Sequence, residues 1–242
     1  MTIHKKFIYS LIIIAAVALL LRLGVSSELA GFNHGFNSVL RPSQATDMCT
    51  YRDLAAKIAT GKWEGEFYYQ PFYYAVFLPS IRILFGDSIW AVITVQALLG
   101  AITVYLTGLC AAMLWNRASG IMAALLVTFS EALLLYTPYH LIGTLQAFWV
   151  TLLLYLAIKA LNSRKLIYWT LTGLCAGCGI LTRGNIWFIV PGLFMVAIIS
   201  LNNSTCGNWV NKKNRFKIIA ALILFSVMLL LPQLPFAWHN ST

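Results

Sequence analysis

The sequence predicts an all-α integral membrane protein with about seven transmembrane helices, and three observations carry that prediction. Of the 242 residues, 60% are hydrophobic and 10% are charged, with a mean hydropathy of +0.79. A soluble domain carries roughly 25% charged residues, so a water-soluble globular fold is excluded. Apolar runs recur at the length of a crossing, about 20 residues at a rise of 1.5 Å per residue. The net charge of +10 is divided among short basic clusters between those runs, which is a signal of topology rather than of nucleic-acid binding.

Seven runs qualify as spans: Phe7 to Val25, Ser88 to Leu114, Ala118 to Thr137, Leu141 to Leu161, Leu166 to Leu181, Ile186 to Leu201 and Ile218 to Leu231. The first follows Lys5 and Lys6 but is long for a signal peptide, and no small-x-small site follows it, so an uncleaved anchor is expected. The stretch Ala118 to Leu161 is too long for one helix, and Pro138, Tyr139 and His140 supply its break.

One further apolar run, Pro71 to Phe85, is short and contains Pro79 and Arg82. If it does not cross, Lys5 and Lys6, Arg117, Arg164 and Lys165, and Lys212, Lys213, Arg215 and Lys217 all fall on one side, as cytoplasmic loops do. It is therefore read as a helix at the outer interface. The amino terminus is then cytoplasmic, while residues 26–87 form a long extracytoplasmic loop and the carboxy terminus also lies outside. Six of the seven acidic residues fall in that loop, Glu131 being the exception. Within it, residues 47–61 place Tyr51, Leu54, Ala55 and Ile58 on one helical face, with Asp47 at the start and Gly61 as a stop. This reads as an amphipathic helix at the surface of the plasma (inner) membrane, followed by the aromatic cluster from Trp63 to Tyr74 at headgroup depth. The whole of residues 1–242 is expected to form a single transmembrane domain.

No phosphate-cradling glycine loop and no histidine cluster with metal spacing is present, so a soluble nucleotide is not an obvious substrate. Asp47 is a candidate for catalysis, with helix capping as the simpler alternative. Arg183, in LTRGN, is either an arginine reaching to the interface or an anion site for a lipid phosphate. Glu131, read about two turns inside the third span, either packs protonated or lines a cavity. Gly173 and Gly177 form a G-x-x-x-G that close helix packing explains. Cys175 and Cys178 read as small membrane-helix residues, and the five scattered cysteines define no disulfide framework.

The order of these elements resembles the polytopic glycosyltransferases of family 39 type, the protein mannosyltransferase and aminoarabinose transferase relatives that share the GT-C fold. An aspartate with a tyrosine four residues later opens the first outer loop in that family, as Asp47 and Tyr51 do here. A Pro-Pro-Leu-Tyr-Tyr-like run corresponds to Gln70, Pro71, Phe72, Tyr73 and Tyr74, with the first proline replaced. A Leu-Thr-Lys-Gly-like turn corresponds to Leu181, Thr182, Arg183 and Gly184, with arginine for lysine. The resemblance implies inverting transfer of a sugar from a polyprenyl-phosphate donor to a lipid, glycan or protein acceptor on the outer face, with no nucleic acid involved. In it Asp47 is the general base and Arg183 holds the donor phosphate, while Tyr51, Tyr73, Tyr74, His140 and Glu131 are further candidates for the substrate cavity. Whether a divalent metal takes part is left open. Two departures stand out: Gly143 occupies a position that is often acidic, and relatives continue well beyond the length of this chain. It is accordingly expected to be an amino-terminal fragment, a truncated product or a minimal member. The alternative from another class is a non-enzymatic polytopic protein, either a lipid or solute transporter or an inactive partner of a longer transferase.

Overall fold

The computed structural model describes residues 5–31, 39–163, 165–202 and 212–241; Arg164 and Cys206 lie outside the described residues. Those residues form helices and turns without a β-strand, as expected of an all-α membrane protein. Helix α1 is Lys5–Gly31 and α2 is Asp47–Ala59; a π-helical turn, Phe72–Phe77, runs on into α3, Leu78–Phe85. Then come α4 (Ile89–Leu114), α5 (Arg117–Thr128), α6 (Glu131–Leu135), α7 (Gly143–Ser163) and α8 (Leu166–Thr182). A 3-10 turn, Gly184–Phe188, leads into α9 (Val190–Asn202), and α10 (Lys212–Leu230) is followed by a second such turn and α11 (Leu234–Ser241).

Four helices have the length and composition to cross a membrane: Lys5–Gly31, Ile89–Leu114, Gly143–Ser163 and Ile219–Ser241. Shorter apolar helices, Arg117–Thr128, Leu166–Thr182 and Gly184–Ile198, occupy the other expected spans. Helix α1 displays Ile12, Ile13, Val17 and Leu20 on its surface, an arrangement that hydrocarbon favours and water does not.

The described residues pack into two compact units. In the first, residues 1–65 and 71–151, α1 lies against α4 and α5, and α4 against α5. Glycines permit these crossings: a Cβ on Gly120 would lie 2.6 Å from the Gly108 carbonyl oxygen, and one on Gly100 would overlap the side chain of Arg22. Arg22 itself is buried and turns Nη1 back onto the Ala18 carbonyl at 3.1 Å. Helices are present over the two expected stretches of residues 47–61 and 71–85, with α2 packed on α3 and on the π-helical turn. Their shared core is Ala55, Tyr73, Leu78, Ile81, Val92, Ile142 and Leu145.

The expected third span, Ala118 to Thr137, is not one helix. It breaks at Phe129 and Ser130, where Ser130 is extended (φ −66°, ψ 110°) and α6 restarts at Glu131. The Thr128 hydroxyl donates to the Ala124 carbonyl at 2.8 Å, a side-chain bond that commonly bends a helix, and Ser130 then begins a new one. The break expected at Pro138 to His140 is present as well, between α6 and α7.

The second unit comprises residues 66–70 and 152–242. Here α8 packs on α10, and the G-x-x-x-G is the contact: a Cβ on Gly173 would overlap the Phe225 carbonyl, and one on Gly177 the Leu229 carbonyl. Pro191 sits at the start of α9, where its missing N–H costs nothing. The backbone of Phe67 is bound on both sides by one side chain: Asn240 Oδ1 accepts from its N–H and Asn240 Nδ2 donates to its carbonyl, each at 2.8 Å. The Phe67 ring meets Phe236 edge-on at 5.2 Å.

Because Gly177 faces backbone that no rotamer change can move, Gly177→Ala is expected to cost about 1–3 kcal/mol as overpacking. It should lower the unfolding temperature in detergent. Gly192→Ala, where an added Cβ meets nothing within 4 Å, should leave that temperature unchanged.

Candidate active site

The loop before α2 ends in Thr46, which caps the helix in extended conformation (φ −105°, ψ 149°) without a side-chain cap bond. The Thr46 carbonyl accepts from the N–H groups of Cys49 and Thr50, while its hydroxyl turns back to the Ser43 carbonyl at 2.7 Å. Asp47 is therefore the first residue of α2 and not its cap, which corrects the capping alternative. Its side chain is exposed and makes no hydrogen bond or ion pair among the described residues. It opens onto a cavity of about 530 Å³ lined by Pro42, Ala45, Thr46, Asp47, Met48, Tyr139 and Leu141. Ligand sites typically span roughly 300–1,000 Å³.

Tyr139 and Leu141 belong to the non-helical segment between α6 and α7. The Leu141 N–H donates to the Tyr139 carbonyl at 2.7 Å, a three-residue turn with His140 at its apex. Alternate residues thus face different spaces: Tyr139 and Leu141 line the Asp47 cavity, whereas His140 lines a separate, smaller one of about 30 Å³ with Arg52, Arg82, Asp87 and Ser88. That second space has room for about two waters. Arg82 and Asp87 pair at 2.7 Å along its rim.

Tyr51, Tyr73 and Tyr74 pack against one another. Tyr51 stacks on Tyr74 (centroids 6.3 Å, interplanar angle 7°) and meets Tyr73 edge-on at 5.3 Å, which fastens α2 to the π-helical turn. Tyr73 is fully buried and donates its hydroxyl to Gln96 Oε1 at 3.1 Å; burial raises its pKa well above the usual value and keeps it a donor. Glu131 is exposed at the first position of the short helix α6, where a helix amino terminus favours negative charge. The residues lining the Asp47 cavity include none of Tyr51, Tyr73, Tyr74, His140 and Glu131.

Arg183 belongs to the second unit and closes α8, extended at φ −160°, with its backbone N–H on the Gly179 carbonyl. Its guanidinium is exposed and without a hydrogen bond or ion pair among the described residues. Among the described residues no group of three or more His, Cys, Asp or Glu side chains is placed to hold a metal ion.

Sequence reasoning passed over Met48, Tyr139, Leu141 and Gln96. The first three carry no chemical signature. Gln96 carries one: it is the single amide in the apolar run Ile89–Leu114, and a buried amide requires partners.

The chain matches the family described as dolichyl-phosphate-mannose-protein mannosyltransferase over residues 69–231. The match begins after α2, so Asp47 lies outside it while Gln96, Tyr139 and Arg183 lie within. The chain is also similar to the undecaprenyl phosphate-alpha-4-amino-4-deoxy-L-arabinose arabinosyl transferase of Pseudomonas aeruginosa (strain LESB58), 31% identical over 117 residues. That alignment covers 46% of this chain and 21% of the relative, so the chain spans only part of the length of the curated protein it matches. No solved structure matches.

Burial, and next the charge of Arg52, hold His140 down to about 4, against lesser opposing effects of the Ile89 backbone and Asp87. The unfolded chain, with an ordinary histidine near 6.5, binds the proton more readily. Stability contributed by the neutral ring is complete above about pH 6.5 and is lost as pH falls toward 4, by about 3 kcal/mol at roughly 1.4 kcal/mol per unit. Unfolding temperatures in detergent at pH 7.5 and 4.5 should diverge for the native chain. The gap should narrow in His140→Gln.

Proposed function

We propose, for a chain that belongs to the dolichyl-phosphate-mannose-protein mannosyltransferase family, transfer of a sugar from a polyprenyl-phosphate donor to an acceptor on the extracytoplasmic face, with Asp47 as general base. The observation that carries this reading is the placement of Asp47: a carboxylate with no partner among the described residues, at the edge of a cavity of about 530 Å³. A carboxylate engaged in capping or in an ion pair would be a poor proton acceptor. This one is available to a ligand.

The chemistry requires little else of the protein. The donor's phosphate leaves as an anion, so no activating nucleotide is needed. As the acceptor's hydroxyl or amine oxygen or nitrogen attacks the anomeric carbon, its proton passes to Asp47, the bond from that carbon to the phosphate oxygen breaks, and the electron pair departs with the polyprenyl phosphate. Attack opposite the leaving group inverts the anomeric centre. General-base assistance of this kind contributes typically 10²–10⁴-fold. Arg183 is the proposed cation for the departing phosphate, since a guanidinium presents paired N–H donors to phosphate oxygens.

The orientation proposed with this reading has the amino terminus in the cytoplasm and α2 and α3 at the outer interface of the inner membrane, which keeps the basic loops on the cytoplasmic side. The relative's printed name supports an undecaprenyl-phosphate carrier by analogy.

In membranes supplied with a polyprenyl-phosphate sugar, Asp47→Asn is expected to reduce kcat by about 10²–10⁴-fold with unchanged expression and insertion. Full transfer by that variant excludes the general-base role. Arg183→Ala is expected to raise the donor KM, with Arg183→Lys intermediate, because lysine keeps the charge and loses the paired geometry. An unaltered donor KM in Arg183→Ala removes the phosphate assignment and leaves that of Asp47 standing.

A further inference from the structure

Gln96 is fully buried in α4, a helix otherwise built of apolar and small residues, and every polar face of its amide is used. Nε2 donates to the Thr137 carbonyl at 2.7 Å and to the Tyr139 carbonyl at 2.9 Å, and Oε1 accepts from the Tyr73 hydroxyl at 3.1 Å. The orientation of the amide follows from its partners. Two backbone carbonyls offer only acceptors, so the nitrogen must face them, and the phenol then supplies the proton that Oε1 lacks.

These bonds reach the non-helical segment between α6 and α7. Between α6 and α7 the backbone has left the helix: the Tyr139 carbonyl accepts from the Leu141 N–H, whereas the Thr137 carbonyl has no backbone donor among the described residues. A buried carbonyl without a partner is disfavoured, so the segment adopts the path on which Gln96 meets that of Thr137, and its second N–H adds a bond to the Tyr139 carbonyl. That path directs Tyr139 and Leu141 to the Asp47 cavity. Tyr73, itself buried beneath Tyr51, keeps the amide from rotating.

We infer that Gln96, anchored by Tyr73, is a positioning residue for the Asp47 cavity: its two N–H groups hold the Thr137–Leu141 segment so that Tyr139 and Leu141 form the wall against which a bound sugar is oriented. The inference rests on the reading of that cavity as the transfer site. A leucine or methionine would fill the volume of Gln96 equally well; only the paired donation to Thr137 and Tyr139 requires an amide. A bound substrate displaced by about 1 Å from a productive geometry can lose 10²-fold in rate.

Two measurements on the full chain test it together. Hydrogen exchange in detergent, read on peptides covering residues 137–142, is expected to accelerate in Gln96→Leu while peptides from α2 and from α8 keep native rates. In membranes, transfer by the same variant is expected to fall by about 10–10²-fold in kcat with donor KM within about twofold of native, a split that general destabilisation does not produce. Native exchange in residues 137–142 overturns the inference, and so does accelerated exchange with undiminished kcat. If Gln96→Leu does not accumulate, Gln96→Glu, which keeps the volume and the acceptor for Tyr73 but loses the paired N–H donors, is read by the same criteria. Asp47→Asn, run in parallel, separates the two readings. Full transfer by Asp47→Asn removes the general-base role; if kcat is also undiminished in Gln96→Leu despite accelerated exchange, the positioning role falls with it and the hydrogen-bond anchor alone survives. Loss of transfer in Asp47→Asn with native behaviour of Gln96→Leu keeps the site and removes the role of Gln96.

Discussion

Backbone groups that leave a helix must find partners elsewhere when water is excluded, and that constraint shapes the part of this protein where chemistry is proposed. Between α6 and α7 the chain gives up its helical bonds for several residues, and the Gln96 amide replaces them at the carbonyls of Thr137 and Tyr139. The cavity at Asp47 depends on this arrangement, because its Tyr139 and Leu141 wall is built from the same residues. The aromatic packing of Tyr51, Tyr73 and Tyr74 brings α2 against the same framework, and Tyr73 joins the two through its hydroxyl. A polar network inside an apolar unit thus fixes geometry where dispersion alone would leave several packings of similar energy.

The two units use different means to bring helices together. In the second, Gly173 and Gly177 let α8 reach the backbone of α10, so association rests on close contact rather than on polar groups. In the first, small residues serve at the α4 and α5 crossing, but the region around α2 and α3 relies on aromatic rings and one amide. The difference follows the composition: the stretch that carries α2 and α3 holds most of the acidic residues and a dense run of aromatics, whereas α8 is apolar and rich in glycine.

The helices were legible wherever one period dominated. Runs such as Ile89–Leu114 and the amphipathic residues of α2 needed only hydropathy and spacing, and the G-x-x-x-G announced its own contact. The break at Ser130 was missed because hydropathy runs through it unbroken; the signal was local, a Ser-Glu pair able to start a helix and a Thr128 hydroxyl bonding backwards. Glu131, read in the middle of one continuous helix, is the first residue of α6. The roles of Tyr73 and His140 were not legible either. Sequence identifies an aromatic or a histidine in a loop, but whether it faces a ligand, a core or a small water-sized space depends on side-chain direction, which the three-residue turn at His140 reverses from one residue to the next.

The central claim is that the carboxylate of Asp47 meets the acceptor at the anomeric carbon of a polyprenyl-phosphate sugar. The most direct measurement is an experimental structure of the chain in a lipid bilayer with a non-hydrolysable polyprenyl-phosphate sugar bound. The account predicts sugar density in the cavity bounded by Tyr139 and Leu141, with the Asp47 carboxylate within reach of a nucleophile approaching the anomeric carbon, about 2.6–3.2 Å from the group it deprotonates. Sugar density bound elsewhere, with Asp47 facing empty lipid or solvent, would contradict it.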